Sequence, residues 1–353
     1  MSARLRTDAT ALLEDPGEAG TIYGRGYYGT TTSEGLLLDR FEAVYLSESG
    51  RVELRDGRDR PIAWPLVFRR ASRADRAFGV KYVVYRDLRQ RGYVVRPSPP
   101  PASFAVLPRG GVLHKTPSKF WIAVETERSP FDLARVFDLA ERAQGAKKSL
   151  LLALVDEESD LTYYRVRRPS PTGVLEPKRL DRAVTGWLTG DRVEVFDPDA
   201  IETLGRSLAF GSRIGGRLAL SLLESVHLVE EGQLALHDAR TGRPVPPAAL
   251  VGRARRLEPG FDDRLSAYRA LRARRLVVKT GFKYGGHFRA YPRDPEQAHA
   301  RYLVQAWPSD RRAPWSEVAG GVRVAQGVRK EFVLAGVGGS AGPRYLSLER
   351  IRP

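Results

Sequence analysis

The sequence predicts a mixed α/β protein of the α+β kind, built as a tandem duplication of one unit with a small N-terminal lobe and a larger C-terminal lobe. Two observations predict this fold class. Three blocks of sequence recur in the same order at an offset of 182–183 residues, and within each copy segments of helical spacing alternate with short apolar strands. The length of 353 residues accommodates two copies, because domains typically hold about 100–200 residues.

The duplication depends on three collinear blocks that are separated by almost equal distances in the two halves. The matched pairs are LDRFEAVYLSESGRVELRD (38–56) with LSLLESVHLVEEGQLALHD (220–238), YRDLRQRGYVV from Tyr85 with YRALRARRLVV from Tyr268, and AQGAKKSLLLA from Ala143 with AQGVRKEFVLA from Ala325. In the second pair, seven of eleven positions are identical. Collinear matches of this kind indicate an internal repeat.

A proline-rich segment, RRPSPTGVLEPK at 167–178, is predicted to separate the copies, because three prolines and a glycine interrupt regular structure. We therefore predict a first repeat at 1–170, a linker at 171–180 and a second repeat at 181–353. The second repeat is expected to divide into a small lobe at about 181–258 and a larger lobe at about 259–353.

The elements follow the same order in each copy. Helical spacing around Glu42 and Glu224 ends at a glycine that opens a short strand. Helices are predicted at 85–91 and 262–275, and each runs into a Val-Val strand. The first copy then shows strands at 104–107, 120–124, 150–155 and 161–166, with a helix at 131–144 that corresponds to 315–326 in the second copy.

The composition restricts the chemistry. The 58 lysines and arginines against 42 acidic residues give a net charge of +16, which favours a polyanionic partner because basic side chains displace counterions from phosphates. Only nine of these cations are lysine, however, so GC-rich coding is an alternative explanation. The absence of cysteine excludes a disulfide scaffold, a thiol nucleophile, an iron–sulfur cluster and a cysteine-ligated zinc.

No apolar run approaches the ~18–20 residues of a membrane span, and the N-terminal segment lacks the apolar stretch of a signal peptide. We therefore expect a cytoplasmic protein with no membrane partner.

The titratable residues of the C-terminal lobes differ between the copies. Tyr291 aligns with Leu107, His299 with Ser118, Arg323 with Glu141, and Lys330 with Lys148. Tyr291 and His299 are eight residues apart across a proline-containing turn, so two adjacent strands could bring a phenol and an imidazole to one sheet edge. This pattern favours one competent and one silent unit, and unselected divergence of surface residues is the alternative.

The other histidines are weaker candidates for a catalytic role. His287 follows two glycines at the start of HFRAY and is a candidate neighbour of the site. His114 is interpreted as solvated, and His227 and His237 as structural surface residues.

Three segments of the second repeat are, in chain order, KTGFKYGGHFRAY, HARYLV and VRVAQGVRKEFVLA. They resemble the three signature blocks of the archaeal tRNA-splicing endonuclease family. The duplicated halves resemble its two-repeat, homodimer-forming members. The resemblance implies a nuclease-like α/β C-terminal lobe and makes Tyr291, His299 and Lys330 the catalytic triad. Ala300 stands where the family usually has serine, and Gln326 where a histidine is usual; neither is a triad position.

By this resemblance the chain is an RNA lyase that cleaves precursor tRNA at bulge–helix–bulge junctions, with no metal or other cofactor. Tyr291 would remove the proton of a 2′-hydroxyl, His299 would protonate the departing 5′-oxygen, and Lys330 would hold the phosphorane charge. The products would be a 2′,3′-cyclic phosphate and a 5′-hydroxyl. A phenol ordinarily has a pKa of ~10, so Tyr291 would need cations nearby, for which Arg289 and Arg293 are further candidates.

The resemblance also assigns RNA binding to Arg323 and to a second arginine, for which Arg344 is preferred over Arg350. Two guanidinium planes from the partner subunit would sandwich a bulged base. The loop Asp156, Glu157, Glu158 and Asp160 has no acidic counterpart in GVGGSAG at 336–342. It is either a solvated hairpin tip or, as the resemblance implies, a loop that docks into a basic groove of a second copy in a homodimer.

Two other functions remain open at this stage. A non-catalytic RNA-binding or assembly protein would explain the charge without using the triad. A metal-dependent DNA nuclease needs clustered carboxylates. Asp294, Glu296 and Glu317 are available, but no acidic pair precedes a lysine on one strand.

Overall fold

The computed structural model describes residues 1–339 and 342–353. The chain divides into two compact units. The first contains Met1–Pro130, Asp138–Val166 and Arg350–Pro353, and the second contains Phe131–Phe137 and Arg167–Glu349. In the described part of the chain, no helix has the length and apolar character needed to cross a membrane.

The small lobe of the first repeat is a six-stranded sheet with three helices. Its elements are β1 (Ser2–Leu5), β2 (Ala11–Leu13), α1 (Pro16–Gly24), β3 (Thr30–Thr32), β4 (Gly35–Leu38), α2 (Arg40–Glu48), β5 (Glu53–Arg55), β6 (Pro61–Ile62) and α3 (Trp64–Ala74). The strand order is β3-β4-β2-β1-β5-β6, in which only β1 and β5 run parallel.

The larger lobe of the first repeat places helices against a five-stranded mixed sheet. Its elements are α4 (Phe78–Gln90), β7 (Val95–Pro97), β8 (Phe104–Val106), β9 (Phe120–Thr126), β10 (Phe131–Asp132), α5 (Leu133–Gly145), β11 (Ser149–Val155) and β12 (Leu161–Arg167). The order is β7-β8-β9-β11-β12, and β9 and β11 are parallel because α5 carries the chain back to the same end of the sheet.

The second repeat follows the same plan. Its small lobe contains β13 (Val184–Thr189), β14 (Arg192–Val195), α6 (Pro198–Ala200) continuing as a π-helical stretch (Ile201–Ser207), β15 (Ser212–Ile214), β16 (Arg217–Ser221), α7 (Leu222–Glu230), β17 (Leu234–Asp238) and α8 (Pro247–Leu257). The strand order is β15-β16-β14-β13-β17, with β13 and β17 parallel.

The larger lobe of the second repeat carries the predicted site. Its elements are α9 (Phe261–Ala273), β18 (Val277–Thr280), a 3₁₀ turn (Phe282–Tyr284), β19 (Phe288–Tyr291), β20 (Tyr302–Pro308), β21 (Arg312–Ala313), α10 (Trp315–Gly327), β22 (Glu331–Val337) and β23 (Arg344–Ile351). The sheet order is β18-β19-β20-β22-β23, and β20 and β22 are parallel. The mixed α/β, duplicated architecture that the sequence predicts is confirmed.

The first recurring block is a helix-capping device in both copies. The Glu42 carboxylate accepts hydrogen bonds from the backbone N–H groups of Asp39 and Gly29, at 2.9 and 3.0 Å. Glu224 likewise accepts from Ser221 and Gly211, at 3.0 and 2.8 Å. Each glutamate completes a capping box and ties the preceding loop to the helix start. The glutamate therefore recurs in both copies because it stabilises the start of the helix.

Two predicted element boundaries are wrong. The helix predicted at 85–91 begins at Phe78, because its additional turns bury Phe78 and Tyr82 in the core of the first unit. The helix predicted from Phe131 begins at Leu133, because Phe131 and Asp132 instead pair with β21 as a short strand.

Candidate active site

Tyr291 and His299 lie on either side of one strand connection in the second repeat. Tyr291 is the last residue of β19, and β20 begins at Tyr302, three residues after His299. The two strands pair through Ala290 and Tyr302, next to both residues. The structure therefore brings Tyr291 and His299 to one sheet edge. Tyr291 is 7% exposed, whereas His299 is exposed and open to a ligand.

Lys330 joins the same edge from the next strand. It precedes Glu331, the first residue of β22, which pairs in parallel register with Tyr302 at the start of β20. Arg329 adopts φ of 56° in the turn after α10, and the Lys330 N–H donates to the Ala325 carbonyl oxygen at 2.8 Å. Because neighbouring strands are about 4.8 Å apart, the starts of β20 and β22 place Lys330 at the same sheet edge as the end of the loop that carries His299.

The first repeat shows the corresponding arrangement in its own larger lobe. Lys148 and Ser118, the counterparts of Lys330 and His299, are in contact: the Lys148 Nζ donates to the Ser118 carbonyl oxygen at 2.6 Å. The turn before the lysine is the same in both copies, with φ of 56° at Lys147. In the first repeat the ammonium group is therefore engaged with the backbone of Ser118, which aligns with His299 of the second repeat.

The Lys330 ammonium has different neighbours. Its Nζ donates to the Val328 carbonyl oxygen at 3.3 Å and lies 5.4 Å from the centre of the Tyr284 ring. Arg289 approaches the same Tyr284 ring at 5.8 Å and the Tyr291 ring at 5.9 Å. Tyr291, Arg289, Tyr284 and Lys330 thus form one continuous aromatic–cation cluster, which we call the site cluster.

Two features of the site cluster bear on the sequence predictions. Arg289, one of the two candidate cations, lies beside Tyr291, and its Nε donates to the Thr280 carbonyl oxygen at 2.9 Å. Arg293 is exposed in the loop after Tyr291. Sequence reasoning missed Tyr284, although its presence in the first signature block was an available signal.

The linker between the repeats contributes to the site. The Val174 N–H donates to the Pro292 carbonyl oxygen at 2.9 Å, directly after Tyr291. Leu175 packs against the buried cluster of Val277, Tyr291 and Ala300. The linker therefore contacts the start of the loop that carries His299 and packs against the buried cluster that includes Tyr291, a role that proline content alone does not reveal.

Gly173 anchors this part of the linker. Its N–H donates to the Arg274 carbonyl oxygen at 2.9 Å, and a Cβ atom at Gly173 would lie 2.1 Å from the Arg275 carbonyl oxygen. Gly173→Ala is therefore expected to displace the linker and lower the cleavage rate by about 10²-fold, because misplacement of ~1 Å can cost that much. Single-turnover cleavage rates would measure this loss. The control is Thr172→Ala, which changes the exposed neighbouring residue. Equal rates for both variants would contradict this role.

The acidic residues weighed as metal ligands are engaged elsewhere. Glu296 pairs with Arg213 at 2.9 Å, and Glu317 pairs with Arg311 at 2.9 Å. Asp294 accepts a hydrogen bond from the Glu296 N–H at 2.9 Å. Within residues 1–339 and 342–353, no group of three or more histidine, aspartate or glutamate side chains is arranged to hold a metal ion.

The two arginines predicted to bind RNA lie outside the site cluster. Arg323 is exposed on α10, seven residues before Lys330. Arg344 is exposed at the start of β23, and its guanidinium group lies 4.4 Å from the centre of the Phe137 ring. Both side chains are open to a ligand, and Arg344 is oriented by its aromatic neighbour.

The acidic loop forms a tight turn between β11 and β12. Asp156 shapes it by accepting the N–H groups of Glu158 and Asp160, at 3.0 and 2.8 Å. Glu157 pairs with Arg128 at 2.7 Å. Glu158 and Asp160 point into solvent without an ionic partner among the described residues. In the corresponding loop of the second repeat, Ser340 and Ala341 lie outside the described residues.

The remaining histidines are structural or solvated. His287 Nδ1 accepts the Ala306 N–H at 3.1 Å, and burial, with smaller contributions from Arg264 and Arg311, lowers the pKa of its imidazole to about 4. The surface prediction for His227 is wrong: its ring lies half-buried beside Phe210 and Tyr268.

His237 is also half-buried, beside Trp187. His114 is exposed, as predicted.

Comparison with known families decides the identity of the fold. The model described as "tRNA intron endonuclease, N-terminal domain" matches residues 1–62 and 184–251, and that described as "tRNA intron endonuclease, catalytic C-terminal domain" matches 78–163 and 261–342. The chain belongs to the tRNA intron endonuclease family. Each domain of the family occurs twice, in agreement with the internal repeat.

Individual members of the family are similar over almost the whole chain. The tRNA-splicing endonucleases of Methanosarcina acetivorans and Methanococcoides burtonii are each 36% identical over 336 residues, covering 94% of both chains. That of Natronomonas pharaonis is 34% identical over 344 residues, again with 94% of both chains covered. The family resemblance and the assignment as an enzyme, both predicted from the signature blocks, are confirmed.

Proposed function

We propose that this member of the tRNA intron endonuclease family cleaves precursor tRNA at the intron–exon junctions of a bulge–helix–bulge structure, by transesterification without a metal ion. The observation that carries the proposal is the convergence of Tyr291, His299 and Lys330 at one sheet edge of the second repeat. The first repeat keeps the sheet and the lysine but has leucine and serine in place of the tyrosine and histidine.

In the proposed reaction, the Tyr291 phenolate takes the proton of the 2′-hydroxyl at the scissile nucleotide. The 2′-oxygen then attacks the adjacent phosphorus, and a bond from phosphorus to this oxygen forms as the bond to the 5′-oxygen breaks. His299 gives a proton to the departing 5′-oxygen. The products are a 2′,3′-cyclic phosphate and a 5′-hydroxyl, and no water molecule is consumed in this step.

Electrostatics supports the division of roles. A phosphorane gains negative charge on its non-bridging oxygens, and a fixed cation beside it lowers the barrier. Lys330 is half-buried, and its Nζ lies 5.4 Å from the centre of the Tyr284 ring, so a fixed positive charge is available in the site cluster. His299 lies exposed on the loop between β19 and β20, where it can reach a leaving group on bound RNA.

The test is incubation of a two-strand RNA carrying a bulge–helix–bulge with the protein in excess EDTA. We expect cleavage at the bulges, with 5′ ends that polynucleotide kinase labels without prior phosphatase treatment. Binding without cleavage would favour the alternative of an RNA-binding or assembly protein. A strict requirement for magnesium would refute the mechanism.

We further propose that the protein acts as a homodimer with two active sites. Each acidic loop would dock into a basic groove of the partner, and each subunit would supply Arg323 and Arg344 to grip a bulged base in the other's site. The exposed Glu158 and Asp160 support this proposal, because on a protein of net charge +16 they offer unpaired negative charge at a hairpin tip.

Replacing Glu157, Glu158 and Asp160 together with alanine is expected to weaken the dimer and lower cleavage at moderate salt, while Asp156 keeps the turn in shape. Light scattering and cleavage rates at matched protein concentration measure both effects. The control removes the same charge from exposed positions elsewhere, by changing Asp181, Asp191 and Asp199 to alanine. If the triple variant of the loop stayed dimeric and fully active, the docking role of the loop would be refuted.

A further inference from the structure

An exposed aromatic residue projects from the second repeat next to the site cluster. Phe282 is 86% exposed, so its ring contributes little to the core of the fold. It lies on the 3₁₀ turn between β18 and β19, two residues before Tyr284, whose ring contacts Arg289 and Lys330. The Phe282 ring is therefore accessible to a ligand that binds beside the proposed catalytic residues.

The turn that carries Phe282 is rigidly built. The Gly281 N–H donates to the His287 carbonyl oxygen at 3.0 Å, and the Tyr284 N–H donates to the Gly281 carbonyl oxygen at 2.8 Å. A Cβ atom on Gly281 would lie 2.7 Å from the Gly286 carbonyl oxygen, so only glycine permits this close approach. Gly285 adopts φ of 65°, which also favours glycine. Phe282 is therefore held outward by its backbone.

The electrostatic surroundings identify the class of ligand. Residues 277–293 carry four cations, Lys279, Lys283, Arg289 and Arg293, and no acidic residue. Lys279 is half-buried and donates to the Gly211 carbonyl oxygen, but Lys283 and Arg293 are exposed. Aromatic rings interleaved with cations are the combination that binds unpaired nucleotides, because the rings stack on bases and the cations contact phosphates.

The silent repeat lacks this combination. The segment that corresponds to the 3₁₀ turn is PSPPPAS, residues 97–103, which contains no aromatic residue and no cation. Ala105 stands at the position of Arg289. Phe282, Tyr284 and Arg289 therefore occur only in the copy that also carries Tyr291 and His299, although the flanking strands are kept in both copies.

We propose that Phe282 and Tyr284 form a stacking platform for an unpaired nucleotide of the RNA substrate next to the scissile phosphate. The Phe282 ring stacks on the face of the base. Tyr284 orients Arg289 and Lys330 toward the phosphate backbone of the RNA. The platform is a binding element and takes no part in proton transfer. This inference rests on the proposed RNA cleavage, and it adds a base contact supplied by the same subunit that carries the triad.

The test compares Phe282→Ala, Phe282→Leu and Phe282→Trp with Phe196→Ala, a control that removes a 54% exposed phenylalanine from the small lobe. Kd is measured in EDTA by fluorescence anisotropy with a bulge–helix–bulge RNA made uncleavable by 2′-deoxy substitution at both junctions. We expect alanine and leucine to weaken binding about tenfold, since stacking of one base is worth about that much, and tryptophan to retain it. Full affinity in the alanine variant would overturn the proposal, and so would equal affinity of the leucine variant and wild type.

A second measurement identifies the stacked base. Each unpaired nucleotide is replaced in turn by an abasic site, and Kd is measured for wild type and for Phe282→Ala. At one position, the affinity lost on removing the base and the affinity lost on removing the Phe282 ring should not be additive. Additive losses at every position would refute the platform.

Cleavage of the unmodified RNA by wild type and by His299→Ala is recorded in parallel. Equal cleavage by the two would refute the proposed chemistry, independently of the outcome for Phe282.

Discussion

A single 2′-deoxy substitution at the scissile nucleotide is expected to abolish cleavage at that junction. In the proposed reaction the 2′-oxygen is the nucleophile, and Tyr291 activates only this group. Removing the 2′-hydroxyl therefore removes the attacking atom rather than weakening a contact. Denaturing gels of end-labelled RNA, with the protein in EDTA, measure the result.

The second junction of the same RNA is the matched control, because it keeps its 2′-hydroxyl and should still be cut. Binding should change little, since most of the affinity of a protein of net charge +16 for RNA is expected to come from phosphates. Cleavage of the deoxy junction would show that water is the nucleophile. The roles given to Tyr291 and His299 would then be wrong.

Replacing His299 or Lys330 with alanine is expected to lower the single-turnover rate by large factors while RNA still binds. Loss of a general acid costs about 10²–10⁴-fold. Loss of a fixed cation at a developing charge costs about 10²–10³-fold. His299 is exposed and Lys330 half-buried, so neither substitution opens a large cavity in the core.

The silent repeat supplies the controls for these variants. Lys148→Ala and Ser118→Ala change the aligned positions of the same fold. Lys148 makes a hydrogen bond to the Ser118 carbonyl oxygen, so its loss affects local stability but no reacting group. Both variants should cleave at nearly the wild-type rate. If Lys148→Ala were as damaging as Lys330→Ala, the assignment of one active copy would fail.

The placement of Tyr291 and of the loop that carries His299 at one sheet edge could be predicted because it depends on local order. The connection between two adjacent antiparallel strands returns the chain to the edge that it left, so the end of β19 and the start of β20 lie at the same edge. Lys330 follows from the parallel pair β20 and β22, whose starts lie at the same edge. The repeat adds independent support, because Tyr291 and His299 occur only in the second copy, whereas the lysine and the positions that carry the fold are shared by both copies.

The approach of Tyr284 to Lys330 and of the linker to Pro292 could not be predicted in this way. Both contacts join segments far apart in sequence, and their geometry depends on how a turn or an irregular strand packs on the finished sheet. A proline-rich segment reports where regular structure stops. It does not report which surface the segment then covers.

The sequence by itself therefore determined the duplication, the order of the elements, the family and the residues proposed for catalysis, because these depend on spacing, periodicity and motif. Only the tertiary structure decided which neighbours surround those residues: Arg289 beside Tyr291, Tyr284 beneath Lys330, Leu175 behind the loop and Phe282 held in solvent. The physical reason is that side-chain neighbours across a sheet are set by packing of the whole lobe, whereas the order of helices and strands along the chain follows from local pattern.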